Sequence, residues 1–170
     1  MKTILNSLLI LSAVASSALA GTLQDRLSPD LVKLQGDELV DAPNALEGKD
    51  IIAVYYSAHW CPPCRQFTPG FSEWYDEASE KYPNFQLVFM SSDRSADAMK
   101  EYMEWGSMNF PAVKFDERRA SGLGQYAARG NPYLVVLDAD GNQLLGKPEG
   151  ESWQSPAITL QDLQKLLEES

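Results

Sequence analysis

Residues 51–56, Ile-Ile-Ala-Val-Tyr-Tyr, are apolar at every step, β-branched and aromatic, with no alternation of polar positions. That pattern predicts a strand covered on both faces, the centre of a sheet. Residues 85–90 predict a second buried strand, Gln86 notwithstanding. Between them, Phe67, Phe71, Trp74 and Ala78 are spaced four, three and four apart, which predicts a helix over about residues 61–81 with that stripe buried. Pro69 falls inside it and predicts a kink, and Tyr82-Pro83-Asn84 ends it. Residues 91–95 supply loop and cap for a helix over about residues 96–105, where Met99 and Met103 form an i,i+4 pair better suited to a core than to copper. Strand, helix, strand in that order predicts a parallel pair joined by a right-handed crossover.

Outside this unit the pattern is shorter in period. Residues 31–34 and 39–40, around Gln35-Gly36-Asp37, predict an N-terminal hairpin. Residues 108–115 hold a short strand-like stretch, residues 116–119 a charged loop, and residues 121–128 a short helix despite Gly122 and Gly124. Residues 131–137 and 143–145, joined by Asp138-Ala139-Asp140-Gly141-Asn142, predict an antiparallel pair. After a polar loop over residues 146–156, Thr159 to Asp162 resembles a capping box and opens a last helix that packs through Leu160, Leu163, Leu166 and Leu167. The class is α/β, a central mixed sheet flanked by helices with an N-terminal hairpin extension.

The first twenty residues stand apart. Lys2 precedes a largely apolar stretch from Ile4 to Val14, and Ala18-Leu19-Ala20 gives a small-x-small pattern before Gly21. They predict a secretory signal peptide over residues 1–20 and one domain over residues 21–170. The stretch is too short and too interrupted by Asn6, Ser7 and Ser12 for a membrane span. The mature chain would carry 13 basic and 24 acidic residues, which argues against nucleic acid and against anionic membrane surfaces as general partners.

Only two cysteines are present, both in Trp60-Cys61-Pro62-Pro63-Cys64-Arg65, where the first predicted strand gives way to a helix. A thiol at a helix N-terminus feels unpaired N–H groups and the positive end of the dipole, so the Cys61 pKa should fall below the free value of about 8.5. Two intervening residues let Cys64 reach the same first turn and attack a mixed disulfide held on Cys61. Pro62 and Pro63 preset the helix start and donate no N–H, leaving the Cys64 and Arg65 amides as the nearest donors to the sulfur. A structural zinc site would be short of ligands, since His59 is the only histidine. An inert clip across two residues would remove little chain entropy.

Residues 55–69, from Tyr55-Tyr56-Ser57 through Cys61-Pro62-Pro63-Cys64-Arg65 to Phe67-Thr68-Pro69, resemble the active-site segment of the thioredoxin superfamily, in its tryparedoxin/nucleoredoxin-like branch. The resemblance runs from about Pro29 to the C-terminus. It implies the thioredoxin fold, Cys61 attacking and Cys64 resolving, and Trp60, Pro62, Pro63 and Arg65 shaping the site. It also implies a cis Pro132 beside the sulfurs, preceded here by polar Asn131. Phe110 falls where the branch carries an aromatic on the active-site face, with Asn109 in place of a proline, and Tyr55 falls where thioredoxin itself carries a buried acid. His59, two residues before Cys61, is a further candidate, either as an imidazolium near the thiolate or as a rim side chain.

The reading is an exported, periplasmic or secreted, thiol–disulfide oxidoreductase of the protein-disulfide reductase type. It would act as a monomer on protein or small-molecule disulfides, fed by an upstream electron donor, with no cofactor, no metal and no membrane insertion after cleavage. The alternatives are a dithiol oxidase or disulfide isomerase, and a non-catalytic redox-sensing binding module.

Overall fold

The computed structural model describes residues 21–146 and 154–170. The signal peptide expected over residues 1–20 and most of the loop expected over residues 146–156 lie outside them. Among the described residues a seven-stranded sheet has the order β2-β1-β5-β4-β3-β6-β7. Strands β1 (Leu31–Gln35) and β2 (Glu38–Asp41) form the expected hairpin. Strand β3 (Ile51–Ser57) is buried along its whole length, as is its parallel neighbour β4 (Phe85–Ser91). Beside β4 lies the two-residue strand β5 (Ala112–Val113). On the other side of β3, β6 (Tyr133–Asp138) runs antiparallel and turns back into β7 (Gln143–Leu145).

This register builds one functional edge. Because β3 and β4 are parallel, with Ser57 opposite Ser91, the loops that leave them emerge together. Because β6 is antiparallel and pairs Tyr133 with Tyr56, the chain enters β6 at that same edge. The Cys61 loop, the Ser92–Asp93 loop and Pro132 are thereby brought together by pairing alone.

The two-residue period of β3 divides the core. Ala53 and Tyr55 face one layer with Phe71, Tyr102 and Leu163, contributed by helices α2 (Pro62–Lys81), α3 (Ala96–Trp105) and α4 (Pro156–Glu169). Ile52, Val54 and Tyr56 face the other, closed by Leu23, Leu27, Leu46 and Leu123. Helix α3 has the expected bounds, with Ser95 Oγ accepting from the Ala98 N–H.

Four elements differ from expectation. Helix α1 (Leu23–Leu27) was not legible in a five-residue stretch, although Thr22 and Asp25 make a reciprocal capping box that anchors it. Helix α4 begins three residues before Thr159, with Ser155 as its cap, so Thr159 is buried in the first turn and its hydroxyl finds no partner among the described residues. Over residues 121–128 only a 3-10 turn, Leu123–Tyr126, forms after Gly122 takes a left-handed φ of 75°. In α2 the buried face runs through Cys64, Thr68, Phe71, Ser72, Tyr75 and Ala78, while Phe67 and Trp74 are half-buried. The face is turned toward Thr68 because its hydroxyl meets buried phenols from the sheet and from α3.

Candidate active site

Strand β3 ends at Ser57, and the chain turns through Ala58, His59 and Trp60, with the Cys61 N–H donating to the Ala58 carbonyl at 3.2 Å. Cys61 is the N-cap of α2, in extended backbone at φ −93° and ψ 111°, with Pro62 and Pro63 as the first helical residues. The Cys64 N–H donates to Cys61 Sγ at 3.3 Å. The Arg65 N–H serves the Cys61 carbonyl instead, at 3.1 Å, so one amide, not two, reaches the sulfur. The two cysteines are joined as a disulfide with Cα atoms 5.2 Å apart. Cys64 is fully buried and Cys61 is 4% exposed, more covered than its position at the helix start suggests.

The Asn131-Pro132 peptide bond is cis, and the Asn131 carbonyl oxygen lies 3.7 Å from Cys61 Sγ. A reduced Cys61 thiol has its acceptor there. Pro132 precedes β6 at the edge fixed by the Tyr56–Tyr133 pairing.

The loop before Cys61 is tied down on its other side. Trp60 is 53% exposed, and its indole N–H donates to the Ser92 carbonyl at 3.2 Å. The His59 N–H donates to Asp93 Oδ1 at 2.8 Å, and Arg65 Nη1 donates to the His59 carbonyl at 2.9 Å. The His59 ring stacks on Tyr102, centroids 5.2 Å apart, and leans on Trp105. It thus packs toward α3, and its backbone is what holds the loop.

Asp93 was not picked out from the sequence, although an acid between a buried strand and a capped helix is a usable signal. It is 5% exposed and accepts from the Ser91 hydroxyl as well as from His59. Burial pushes its carboxyl above the ordinary value, against the opposing pull of those hydrogen bonds and of the Arg118 charge.

Tyr55 is also fully buried, and its hydroxyl meets Thr68 Oγ1 at 2.8 Å. Thr68 Oγ1 meets the Tyr102 hydroxyl at 2.5 Å, and Tyr102 meets Ser57 Oγ at 2.9 Å. Burial raises both phenols above the ordinary tyrosine value, so the chain is one of neutral hydroxyls. Thr68 is one turn beyond Cys64 on the same helix face. Among the described residues none of these hydroxyls is hydrogen-bonded to a sulfur, so Tyr55 supports the helix that carries Cys64 and makes no hydrogen bond to the cysteine.

Phe110 is not at the site. It is fully buried and meets Tyr75 edge-on at 5.1 Å, eleven residues beyond Cys64 or roughly 16 Å along the helix. It precedes β5, and the start of a strand parallel to β4 lies away from the functional edge. Asn109 beside it donates to both Asp76 carboxylate oxygens. Among the described residues no group of three or more His, Cys, Asp and Glu side chains is gathered to hold a metal ion.

Comparison with known proteins places this geometry. A family model described as thioredoxin-like matches residues 48–143. The chain is 41% identical over 113 residues to nucleoredoxin of Bos taurus, covering 65% of this chain and 25% of that protein. It is 36% identical over 104 residues to tryparedoxin of Trypanosoma brucei brucei, covering 60% of this chain and 69% of that protein. A thioredoxin from Wuchereria bancrofti superposes with a TM-score of 0.61 at 34% identity, covering 82% of this chain and 97% of that one. The chain spans about a quarter of the length of the animal nucleoredoxins it matches.

Proposed function

Because the chain belongs to the thioredoxin-like family, in its nucleoredoxin- and tryparedoxin-like branch, we propose that it is a thiol–disulfide oxidoreductase that reduces partner disulfides through Cys61 and Cys64. The observation that carries this reading is the Cys61 sulfur at the start of α2, accepting the Cys64 N–H and facing the Asn131 carbonyl beside a cis proline. A sulfur so placed has a donor that stabilises its anion. It also lies beside a strand start whose backbone is set to pair with an extended partner segment.

In the forward cycle the Cys61 thiolate attacks one sulfur of the partner disulfide. That S–S bond breaks, and the leaving partner thiolate takes a proton from solvent. Cys64 then gives up its proton and attacks Cys61 Sγ, releasing the second partner sulfur and closing the Cys61–Cys64 bond. Two electrons pass to the partner, and an external dithiol restores the reduced pair. Pro62 and Pro63 occupy the positions between the cysteines where a histidine would add positive charge, and the overall charge of −10 opposes an accumulating anion. The potential should therefore lie nearer about −270 mV than about −120 mV.

Turnover of insulin with dithiothreitol as donor tests the activity, and its absence would leave a redox-sensing binder. Equilibration with a glutathione buffer tests the direction: a couple above about −150 mV would make the protein an oxidase or isomerase.

The pattern of residues 1–20 supports export into a compartment where disulfides persist. Helix α1 begins at Leu23, so cleavage after Ala20 would leave it whole. An N-terminal mass on the secreted chain that retained residues 1–20 would overturn export by this signal.

A further inference from the structure

The chain is strongly acidic, yet its basic residues are not evenly spread. Five of its six arginines, Arg65, Arg94, Arg118, Arg119 and Arg129, lie in the segments that leave β3 and β4 or lead from β5 into β6. Across residues 58–65, 92–95 and 114–132 there are six Lys and Arg against three Asp and Glu. The sixth arginine, Arg26, is bound to the Asp140 carbonyl, beside the turn that ends β6, and that end of β6 pairs with the start of β3 at the opposite edge.

A cleft of about 270 Å³ with a mostly apolar surface opens at this edge, lined by His59, Trp60, Arg65, Asp93, Arg94 and Ala98, so that two arginines flank an apolar hollow. Its wall is continuous with the Cys61 loop. Arg65 is tethered to the His59 carbonyl through Nη1, and among the described residues no other hydrogen bond or ion pair takes up its remaining donors. Arg94 is exposed, and no hydrogen bond or ion pair holds it among the described residues. The one acid in the wall, Asp93, is buried and has both oxygens engaged, by His59 and Ser91, with the Arg118 guanidinium bonded to its carbonyl. Asp97, in the first turn of α3, does not line the cleft. Trp60 supplies an exposed apolar face beside the sulfur.

Resting on the oxidoreductase reading, we propose that this cleft selects its substrate by charge, taking disulfides flanked by carboxylates, with Arg94 and Arg65 as the residues that receive them. Guanidinium forks match carboxylate geometry bidentately, and carboxylates are the anions that the side chains of a disulfide-bearing peptide itself carry. A positive patch on a negative protein also draws an anionic partner to one edge while the rest of the surface repels it.

The test uses the full chain, reduced beforehand, and follows single-turnover oxidation with three probes: neutral hydroxyethyl disulfide, and two cystine peptides of equal length flanked by glutamates or by lysines. Glutathione disulfide, itself carboxylate-bearing, forms a further arm, to separate a small-molecule source from a peptide one. The glutamate peptide should react about tenfold or more faster than the lysine peptide at low ionic strength, with the gap closing as salt is added. Arg94→Glu should invert or abolish that ratio, and Arg65→Gln should narrow it. Because each variant is judged by the ratio of two probes, loss of folded protein cancels. Equal rates for the two peptides, a faster lysine peptide, or a ratio unmoved by Arg94→Glu would overturn the charge selection alone. No reaction with any probe, the neutral one included, would overturn the oxidoreductase reading with it.

Discussion

Tyr55 and Tyr56 are neighbours on β3, both almost wholly buried, both with phenols raised by burial, and they serve two different layers. Tyr55 enters the layer under α2 and α3, where its hydroxyl joins a chain of side chains, Thr68, Tyr102 and Ser57, one turn below Cys64. Tyr56 enters the opposite layer, where its hydroxyl donates to the Leu123 carbonyl at 2.7 Å and stops. Burial and pKa are alike in the two; the partners are not. One layer carries polar side chains beneath the helix that holds the sulfurs, and the other ties a loop to the sheet through backbone. The difference teaches that a buried polar group in this molecule is informative through what it bonds, not through how deep it lies.

The widest separation between the layers should come from Cys61→Ser and Leu27→Ala. Cys61→Ser removes the sulfur proposed to attack, so insulin reduction should fall to the rate of dithiothreitol alone, with the melting temperature compared under reducing conditions. Leu27 is fully buried in the layer away from the sulfurs. Its truncation should cost roughly 2–5 kcal/mol, or several degrees in Tm, while the folded fraction keeps its rate per molecule. An active Cys61→Ser, or a Leu27→Ala whose folded fraction is slow, would break the division.

Removing each phenol hydroxyl tests the same division more finely. Tyr56→Phe leaves the Leu123 carbonyl without that donor in a buried setting, at a cost of roughly 1–3 kcal/mol. Tyr55→Phe leaves Thr68 still bonded to Tyr102, so the loss should be nearer 0.5–1.5 kcal/mol. Neither should change insulin reduction by more than about twofold, since neither hydroxyl bonds a sulfur. A large drop in activity for Tyr55→Phe alone would show the hydroxyl chain taking part in the chemistry. Denaturant midpoints and initial rates on the same samples decide it.

The legible parts of the site were those written locally. Cys61, Pro62, Pro63 and Cys64 sit in one turn, and their spacing alone implies a helix start with a resolving thiol. Pro132 was found through family resemblance and would not have been found from spacing, because its nearness to Cys61 comes from the antiparallel pairing of β6 with β3. Phe110 shows the converse. Its place in the order of landmarks pointed to the functional edge, but β5 runs parallel to β4, so the residues before it come in from the other end of the sheet, and Phe110 packs on Tyr75 instead. Asp93 and Thr68 were missed because their partners, His59 and Tyr55, are 34 and 13 residues away. Helix α1 was missed because five residues carry too little periodicity to register.

The smallest effect concerns Asp93, which accepts from the His59 N–H in the loop before Cys61. Burial raises its carboxyl above the ordinary range, so the folded chain holds that proton more tightly than the unfolded chain does. As pH rises from the ordinary carboxylate value through the raised one, the unfolded state releases its proton first, and this group's contribution to stability falls and stays lower above. In Asp93→Asn the side-chain oxygen can still accept from the His59 N–H, but no charge develops. The variant should therefore gain on the native protein as pH rises from 4 to 7, read as the difference in Tm between the two at each pH. At neutral pH the loop geometry should persist, so insulin reduction should change little. A difference that stays flat with pH, or that moves against the variant, would mean that the Arg118 charge and the two hydrogen bonds outweigh the cost of burial. Asp93 would then be a stabilising anion at the site's edge.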